Sequence, residues 1–210
     1  MLSTIKKLLK GAPKQYQEKR YPREKFELLH SAIKLDTVKN LLDIGCNAGV
    51  ITHLFAEKGL FSVGIDVAPR LINRGASQIP VIGYFKVSNE NVSSLPDFDA
   101  VLLLSVHHQW VIQGGDKEAQ HLVAAILLKA RKYFFIEFAS INSKYGYSPA
   151  RFKDHDEESI LKYARDWLQE VVEIAKTRSA TENISIRYVG KNKELERVEE
   201  FRYVYLVSHG

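Results

Sequence analysis

The 210-residue chain predicts an α/β protein with a doubly wound, mostly parallel sheet of seven strands and an antiparallel hairpin at its C-terminal end. Three observations support this fold class. Short apolar segments alternate with segments of helical periodicity, which is typical of parallel sheets covered by helices on both faces. A glycine-containing turn joins the first strand to the helix behind it. Two late apolar segments are separated only by the charged stretch 191–200, which favours a hairpin.

Each predicted strand is a short run of apolar residues, several of them β-branched. Segment 99–104 is nearly all apolar, as expected of a strand that is buried on both faces. The predicted strands cover residues 40–44, 62–66, 81–87, 99–104, 133–137, 184–189 and 201–207.

The predicted helices follow from apolar spacing and from residues that begin or end helices. Phe26, Leu29 and Ile33 are spaced three to four residues apart. Gly59 can end a helix, and Pro69 stands where another can begin. The predicted helices cover residues 2–10, 23–35, 48–58, 69–77, 116–130 and 156–176.

We expect these elements to form one domain over residues 1–210, because no linker or repeat divides the chain. Within it, residues 1–36 are predicted to form N-terminal helices and part of a lid. Residues 37–140 would form the cofactor-binding core, 141–180 a second lid piece and a helix, and 181–210 the strand pair. A chain of this length can bury a substantial core.

Composition and charge limit where the protein is located and what it can bind. No apolar stretch approaches the roughly 20 residues that span a bilayer, so we expect no stable membrane insertion. The absence of a signal-peptide pattern and the single cysteine, Cys46, predict a cytoplasmic protein. The net charge of +5 is concentrated in the first 25 residues, with eight basic and two acidic side chains. This excess fits a solvated helix face, an anionic substrate such as RNA, or contact with a membrane surface.

The first strand runs into the loop Gly45-Cys46-Asn47-Ala48-Gly49, which follows Asp43. A dinucleotide site needs G-x-G-x-x-G, and Asn47 stands in place of its middle glycine. The Asn47 side chain occupies room that a pyrophosphate would use, so a cofactor without phosphates fits better. A corner that binds nothing is the plain alternative. Asp66 ends the second strand, where an acidic residue can bind a ribose.

The spacing Asp43-x-Gly45-x-x-x-Gly49 resembles motif I of class I S-adenosylmethionine-dependent methyltransferases, over roughly residues 38–140. The resemblance implies a Rossmann-like methyltransferase fold with S-adenosyl-L-methionine as cofactor. Asp66 would accept the ribose hydroxyls and Asn89 would contact the adenine, with Glu90 as the second choice; turn chemistry is the alternative for Asn89. Cys46 is expected to be a small packing residue of the loop. The expected cofactor-binding residues are Asp43, Gly45, Cys46, Asn47, Gly49, Asp66, Val67, Asn89, Glu90 and Ser105.

Several motifs are similar to those of RNA methylphosphate capping enzymes. The Gly-Cys-Asn-x-Gly loop is one, and the stretch Gly64-Ile-Asp-Val-Ala-Pro-Arg-Leu-Ile72 is another. Further positions of that family are matched by Leu104-Ser105, Trp110, Gly115-Asp116 and Glu137. Trp110 is displaced by one residue, and the family's Pro-Gly-Gly turn before the fifth strand is missing. The similarity makes RNA, with a terminal phosphate as acceptor, one possible substrate.

The segment after the fourth strand, with His107 and His108, is expected to line the mouth beside the cofactor. If the segment is extended, only one of these adjacent histidines faces the substrate, where it could act as a general base. Glu137 could orient that histidine or bind substrate, so His107, His108 and Glu137 are the predicted catalytic residues. Paired ligand spacing is missing, so no metal is expected. The predicted substrate-binding residues are Arg20, Tyr21, Trp110, Tyr145 and Arg151.

The leading functional prediction is therefore an O-methyltransferase that acts on a small polar or anionic acceptor, such as a sugar, a phosphate or a natural-product hydroxyl. The alternatives are an RNA methyltransferase and a non-catalytic binding module that keeps the fold as a scaffold. A nicotinamide-dependent oxidoreductase is disfavoured by Asn47. The sequence does not define the acceptor or the oligomeric state.

Overall fold

The structure, a computed structural model, describes residues 22–67, 82–140, 156–179, 183–195 and 198–210. Within them, seven strands form one sheet in the order β3-β2-β1-β4-β5-β7-β6. The strands are β1 (Asn40–Ile44), β2 (Phe61–Asp66), β3 (Ile82–Tyr84), β4 (Phe98–Leu103), β5 (Ala130–Ala139), β6 (Ile184–Leu195) and β7 (Val198–His209).

The first five strands pair in parallel, and β7 lies antiparallel between β5 and β6. This confirms the predicted mostly parallel seven-stranded sheet with its antiparallel C-terminal hairpin. The predicted charged turn at 191–200 was wrong in extent. Pairing continues to Leu195 opposite Val198, because main-chain hydrogen bonds form whatever the side-chain charge.

Helices α1 (Pro22–Ser31), α2 (Val50–Ala56), α3 (His107–Leu127) and α4 (Glu157–Arg178) cover this sheet, with short 3-10 turns at Leu35–Thr37 and Val92–Ser94. Helix α3 starts at His107, nine residues earlier than predicted, and Gly115 interrupts its helical geometry with φ 80° and ψ 172°. The predicted helices at 2–10 and 69–77 lie outside the described residues. None of the helices in the described ranges is both long and apolar enough to cross a membrane.

The buried core lies on both faces of the sheet. One face packs against α3 and α4, around Phe134, Ile136, Phe138 and Trp167. The other packs against α1 and α2, around Phe26, Phe55 and Phe135. Successive strand residues point to opposite faces, so β5 contributes alternately to the two clusters. Glu137 therefore faces the same side as Phe135, toward α1.

Candidate active site

Three alternate residues of the corner between β1 and α2 have positive φ angles. Gly45, Asn47 and Gly49 have φ values of 77°, 55° and 71°. The amides of Gly45 and Cys46 donate to the carbonyl of Ile65, at 2.8 and 3.1 Å, and fix the loop to β2. A Cβ on Gly45 would lie 2.2 Å from Cγ2 of Val106. Glycine is therefore required at position 45, both for φ and for the close approach of Val106.

Asp66 stands at the end of β2, beside this loop. Its Oδ2 accepts a hydrogen bond from the amide of Asn47 at 2.8 Å. The Oδ1 atom of Asn47 is buried and has no hydrogen-bond partner among the residues that the structure describes. A buried acceptor of this kind is usually satisfied. The corner thus offers a carboxylate and an unsatisfied amide oxygen to a polar ligand, which fits the ribose and amino-acid parts of S-adenosylmethionine.

Asp43 lies beneath the loop with 2% of its surface exposed. Its carboxylate accepts the hydroxyl of Thr52 at 2.7 Å. Burial raises the pKa of Asp43 to about 6; the Thr52 hydrogen bond opposes that rise, and the charge of Asp66 adds to it. Asp43 therefore has a structural contact in α2, and direct binding of the cofactor by its carboxylate stays a prediction.

Cys46 packs at the base of the loop, where its Sγ would lie 2.8 Å from a Cβ on Gly64. Burial, followed by the charge of Asp43, raises the pKa of the Cys46 thiol well above its usual range. A thiol held in this protonated form is a poor nucleophile. Its geometry agrees with a small packing residue.

The predicted adenine contacts lie on more open surface. Val67 is 54% exposed beside Asp66. Asn89 and Glu90 are exposed on a turn. The next residue, Asn91, makes that turn through its side chain, which accepts from the Ser88 amide and donates to the Lys86 carbonyl, both at 2.8 Å. The contacts of Asn89 and Glu90 with adenine stay predictions.

Asn89 also borders an open groove of about 700 Å³ between the Val92–Ser94 turn and the helices α3 and α4. Lys129, which directly precedes β5, lines this groove together with His121 and Arg178. This part of the groove therefore lies at the amino end of β5, whereas Asp66 lies at the carboxyl end of β2.

At the carboxyl ends of β4 and β5, Ser105 and Glu137 meet Lys25 of α1. The Nζ of Lys25 lies 2.8 Å from Oε1 and 3.0 Å from Oε2 of Glu137. The Ser105 hydroxyl donates to the same Oε2 at 2.8 Å. Glu137 is fully buried, and the side chain of Lys25 is 12% exposed. Glu137 thus forms a buried ion pair with Lys25 and accepts a further hydrogen bond from Ser105. Ser105 directly precedes Val106, which lies against Gly45 of the loop.

The charge state of Glu137 follows from its neighbours. Burial would raise the pKa of Glu137, but the Lys25 ammonium, and after it the Arg202 guanidinium, hold that pKa below its usual value. Arg202 of β7 is 1% exposed and pairs in register with Ala139 of β5, two residues from Glu137 on the same face. Glu137 is therefore a carboxylate at neutral pH.

The two histidines do not have the expected geometry. The segment was predicted to be extended, but His107 and His108 begin helix α3 and are 0% and 1% exposed. The His107 ring packs 4.4 Å from the ring of Phe138 and 4.5 Å from that of Trp167, measured between centroids. Burial, with a smaller effect from His108, lowers the pKa of His107 to about 3.

Glu137 and His107 lie on opposite faces of the sheet, because His107 packs on Phe138, and Phe138 and Glu137 alternate along β5. Glu137 therefore does not orient His107, whereas orientation of His108 or binding of substrate by Glu137 stays a prediction. A catalytic role of either histidine stays a prediction, and the burial of both side chains disfavours such a role.

The predicted substrate-binding residues are only partly described. Trp110 is half-buried and packs against the core on the α3 face. Arg20, Tyr21, Tyr145 and Arg151 lie outside the described residues. Two site residues were missed, Lys25 and Arg202. Lys25 stands four residues before the buried Leu29, which places it on the inner face of α1, and that spacing was the available signal.

Comparisons with known proteins agree with this geometry. Residues 42–127 match the family model described as a methyltransferase domain. No curated protein matches the chain by sequence. Among solved structures, that of WbdD at 2.2 Å is 21% identical with a TM-score of 0.71, and the match covers 97% of this chain and 46% of WbdD. The chain thus spans less than half of the WbdD structure.

Two further structures resemble the chain over most of its length. Magnesium protoporphyrin IX methyltransferase (ChlM) from Synechocystis PCC 6803, with bound S-adenosylmethionine, is 14% identical with a TM-score of 0.58, and the match covers 90% of this chain and 78% of ChlM. A TehB-like methyltransferase from Corynebacterium glutamicum is 15% identical with a TM-score of 0.52, and the match covers 86% and 85% of the two chains.

At these identities the structural likeness shows the fold, which is the class I S-adenosylmethionine-dependent methyltransferase fold. Residues 42–127, which match the methyltransferase domain, include the glycine corner and Asp66. The match to the methyltransferase domain, together with neighbours crystallised with S-adenosylmethionine or S-adenosylhomocysteine, supports the expectations of an enzyme of this class and of S-adenosyl-L-methionine as its cofactor. The similarity to capping enzymes and the identity of the acceptor are not part of these findings.

Proposed function

We propose that the chain is an S-adenosylmethionine-dependent O-methyltransferase that methylates an anionic oxygen, a phosphate or a carboxylate, on a small acceptor. The observation that supports this choice is the charge state of the groups at the mouth. Methyl transfer to a neutral hydroxyl needs a base that removes its proton, whereas an anionic oxygen needs none. The cofactor supplies a methyl group already activated by a positively charged sulfur.

Of the groups at the described part of the mouth, Glu137, His107 and Asp43 lack the properties of such a base. Glu137 is held ionised by Lys25 and Arg202, and a carboxylate with a lowered pKa is a weak proton acceptor. His107 is buried with a pKa of about 3. Asp43 has a pKa of about 6, but its carboxylate is buried under the loop and bonded to Thr52. An acceptor that arrives already deprotonated suits this arrangement.

In this proposal the chain's own residues bind the cofactor and the acceptor and orient them for the transfer. We propose that Asp66 accepts hydrogen bonds from the ribose hydroxyls and that the loop from Gly45 to Gly49 supports the rest of the cofactor. Ser105 and Glu137 would fix the edge of the mouth. Aligning two bound reactants is a large part of the rate enhancement in such a displacement.

The neighbours' names support an anionic acceptor. WbdD is described as a bifunctional kinase-methyltransferase. A kinase leaves a phosphate group on its product, so a methyltransferase in the same chain has an anionic oxygen at hand. The net charge of +5 of the present chain also favours anionic partners.

Pairs of phosphorylated and dephosphorylated compounds test this proposal. A panel of sugar phosphates and nucleotides, each with its parent compound, is incubated with S-adenosylmethionine that carries a labelled methyl group. We expect label in at least one phosphorylated member and about a hundredfold less in its parent, because Glu137, His107 and Asp43 are not suited to remove the hydroxyl proton. Faster methylation of a parent compound than of its phosphate would contradict the proposal.

RNA with a terminal phosphate is the second candidate, because it offers the same anionic oxygen and because the Gly-Cys-Asn-x-Gly loop resembles that of the capping enzymes. Filter binding of short RNAs with and without a 5′-phosphate, over a salt series, tests it. Affinity that falls steeply with salt and requires the phosphate favours RNA. Weak binding that does not change with salt excludes it.

A further inference from the structure

We propose that Lys25 is a positioning residue that holds Glu137 in place and, through Glu137 and Ser105, fixes Val106 against the cofactor loop at Gly45. The inference rests on the proposed function, because it assumes that the loop binds S-adenosylmethionine. It assigns a role in the site to helix α1, which precedes the matched methyltransferase domain in the chain.

The first contact joins α1 to the sheet across 112 residues of sequence. The Lys25 ammonium lies within 3.0 Å of both carboxylate oxygens of Glu137. Phe26 and Leu29 anchor the helix in the core, at 3% and 0% exposure. The rigid helix therefore holds the ammonium in one place, where its charge compensates the fully buried Glu137 together with the charge of Arg202.

The second contact joins Glu137 to a strained turn. Ser105 has a φ of 58°, which is uncommon for a residue other than glycine. Its hydroxyl donates to Glu137 at 2.8 Å. A conformation of this kind persists where surrounding contacts hold it. Glu137 supplies such a contact, because it receives the Ser105 side chain at the carboxyl end of β5.

The third contact reaches the cofactor corner. Val106 follows Ser105, and its Cγ2 lies where a Cβ of residue 45 would be. Val106 is β-branched and has little freedom at χ1, so its position is set by the turn. If Ser105 changes its backbone conformation, Val106 moves and the Gly45 loop loses the surface against which it rests. The Lys25–Glu137 pair and the loop are thus connected by continuous contacts.

Calorimetry with S-adenosylhomocysteine at pH 6 and pH 8 tests the inference. We expect Lys25→Met to weaken binding by about tenfold or more at pH 8, because the buried Glu137 carboxylate loses the stronger of its two compensating charge interactions and disturbs the turn. The loss should be smaller at pH 6, because removal of the Lys25 charge raises the pKa of Glu137 above its wild-type value and favours protonation. Lys25→Arg keeps the charge and should bind within about threefold of wild type.

The double variant Lys25→Met/Glu137→Gln removes this ion pair, leaves an amide oxygen for Ser105 and keeps the charge of Arg202. It should bind more tightly than Lys25→Met at pH 8 and equally at pH 6 and pH 8, because no Glu137 carboxylate is left to titrate; if Lys25→Met fails to fold, recovered folding of the double variant is the corresponding result. Lys34→Met, which removes an exposed lysine, is the matched control and should bind like wild type.

Two results overturn the inference while the proposed function stands. One is a folded Lys25→Met variant that binds S-adenosylhomocysteine like wild type at pH 8. The other is a double variant that binds no more tightly at pH 8 than folded Lys25→Met, or that fails to fold as Lys25→Met does, because Lys25 would then act by a route other than Glu137. Failure of the wild-type chain to bind S-adenosylhomocysteine overturns the proposed function itself, and the inference with it.

Discussion

At the scale of single residues, Gly45 carries the strictest steric demand of the site. Its φ of 77° and the 2.2 Å approach of Val106 to a Cβ at this position act together. A motif search finds the glycine, but only the structure shows that Val106 makes it necessary. A side chain at residue 45 should therefore have two separable effects, backbone strain from the positive φ and a clash with Val106.

We expect Gly45→Ala to lower the free energy of unfolding by about 2–4 kcal/mol, through backbone strain and a clash with Val106. Adding Val106→Ala should recover the part due to the clash and leave about 1 kcal/mol of strain. Urea denaturation of both variants measures the two parts. No recovery in the double variant would show that the clash with Val106 is not the cause.

Asp43 predicts how stability depends on pH. Its folded pKa is about 6 against an ordinary value of 3.8, so the folded protein binds the proton more tightly than the unfolded chain. This contribution is fully present below about pH 4 and is lost as pH rises to about 6. The upper bound is on the order of 3 kcal/mol. Asp43→Asn, compared with wild type by denaturation at pH 4, 5 and 7, should remove this dependence.

At pH 7 the Asp43→Asn variant should have lost less free energy of unfolding, relative to wild type, than at pH 4. A difference between the two proteins that stays constant from pH 4 to pH 7 would show that Asp43 has an ordinary pKa in the folded state. Thr52→Val is the companion variant, because it removes the hydroxyl that stabilises the Asp43 carboxylate.

At the scale of elements, helix α3 is two helical segments joined at Gly115, and α4 is held at that junction. Asp116 accepts hydrogen bonds from the Tyr163 hydroxyl and from Nε1 of Trp167, each at 2.9 Å. Trp167 is fully buried among the core residues of α4. The carboxylate at the kink thus connects the first turn of the second segment to two rings of the neighbouring helix.

We expect Asp116→Ala to destabilise the fold by about 2–4 kcal/mol, because it leaves the indole N–H of Trp167 buried without an acceptor. Tyr163→Phe removes one hydroxyl and should cost about 1 kcal/mol. Thermal or urea unfolding followed by Trp fluorescence measures both. Equal losses in the two variants would contradict the assigned role of the Trp167 contact.

The elements also show what local sequence patterns can predict. The alternation of apolar and helical segments and the glycine corner predicted the sheet, and the two late apolar segments predicted its C-terminal hairpin. The predicted start of α3 at residue 116 was too late, because the chain is helical from His107 to the kink at Gly115. Apolar spacing in α1 predicted its buried face. The predicted helix ended at residue 35, four residues after Ser31, where α1 ends.

At the scale of the whole molecule, the site is assembled from segments far apart in the chain. Gly45, Asp66 and Ser105 follow from the order of strands in a parallel sheet, because the carboxyl ends of β1, β2 and β4 lie together. Lys25 and Arg202 come from α1 and from the antiparallel β7. Their meeting at Glu137 depends on the side to which each element packs, which local sequence periodicity does not specify.

The same reasoning explains the histidines. A pair of adjacent histidines after a strand is a reasonable prediction for a catalytic site, since imidazole can act as a base near neutral pH. Which face of the sheet receives them is decided by α3 packing against α4. His107 lies in that packing, between Phe138 and Trp167, while Glu137 faces the opposite side.

Isothermal titration calorimetry with S-adenosylhomocysteine measures cofactor binding at the glycine corner, with Asp66→Asn as the paired variant. We expect saturable binding at one site per chain, weakened about tenfold or more in folded Asp66→Asn, because the charged acceptor for the ribose is lost. Absence of binding by the folded wild-type protein, or equal affinity of the two proteins, would show that the corner does not bind S-adenosylmethionine in this way.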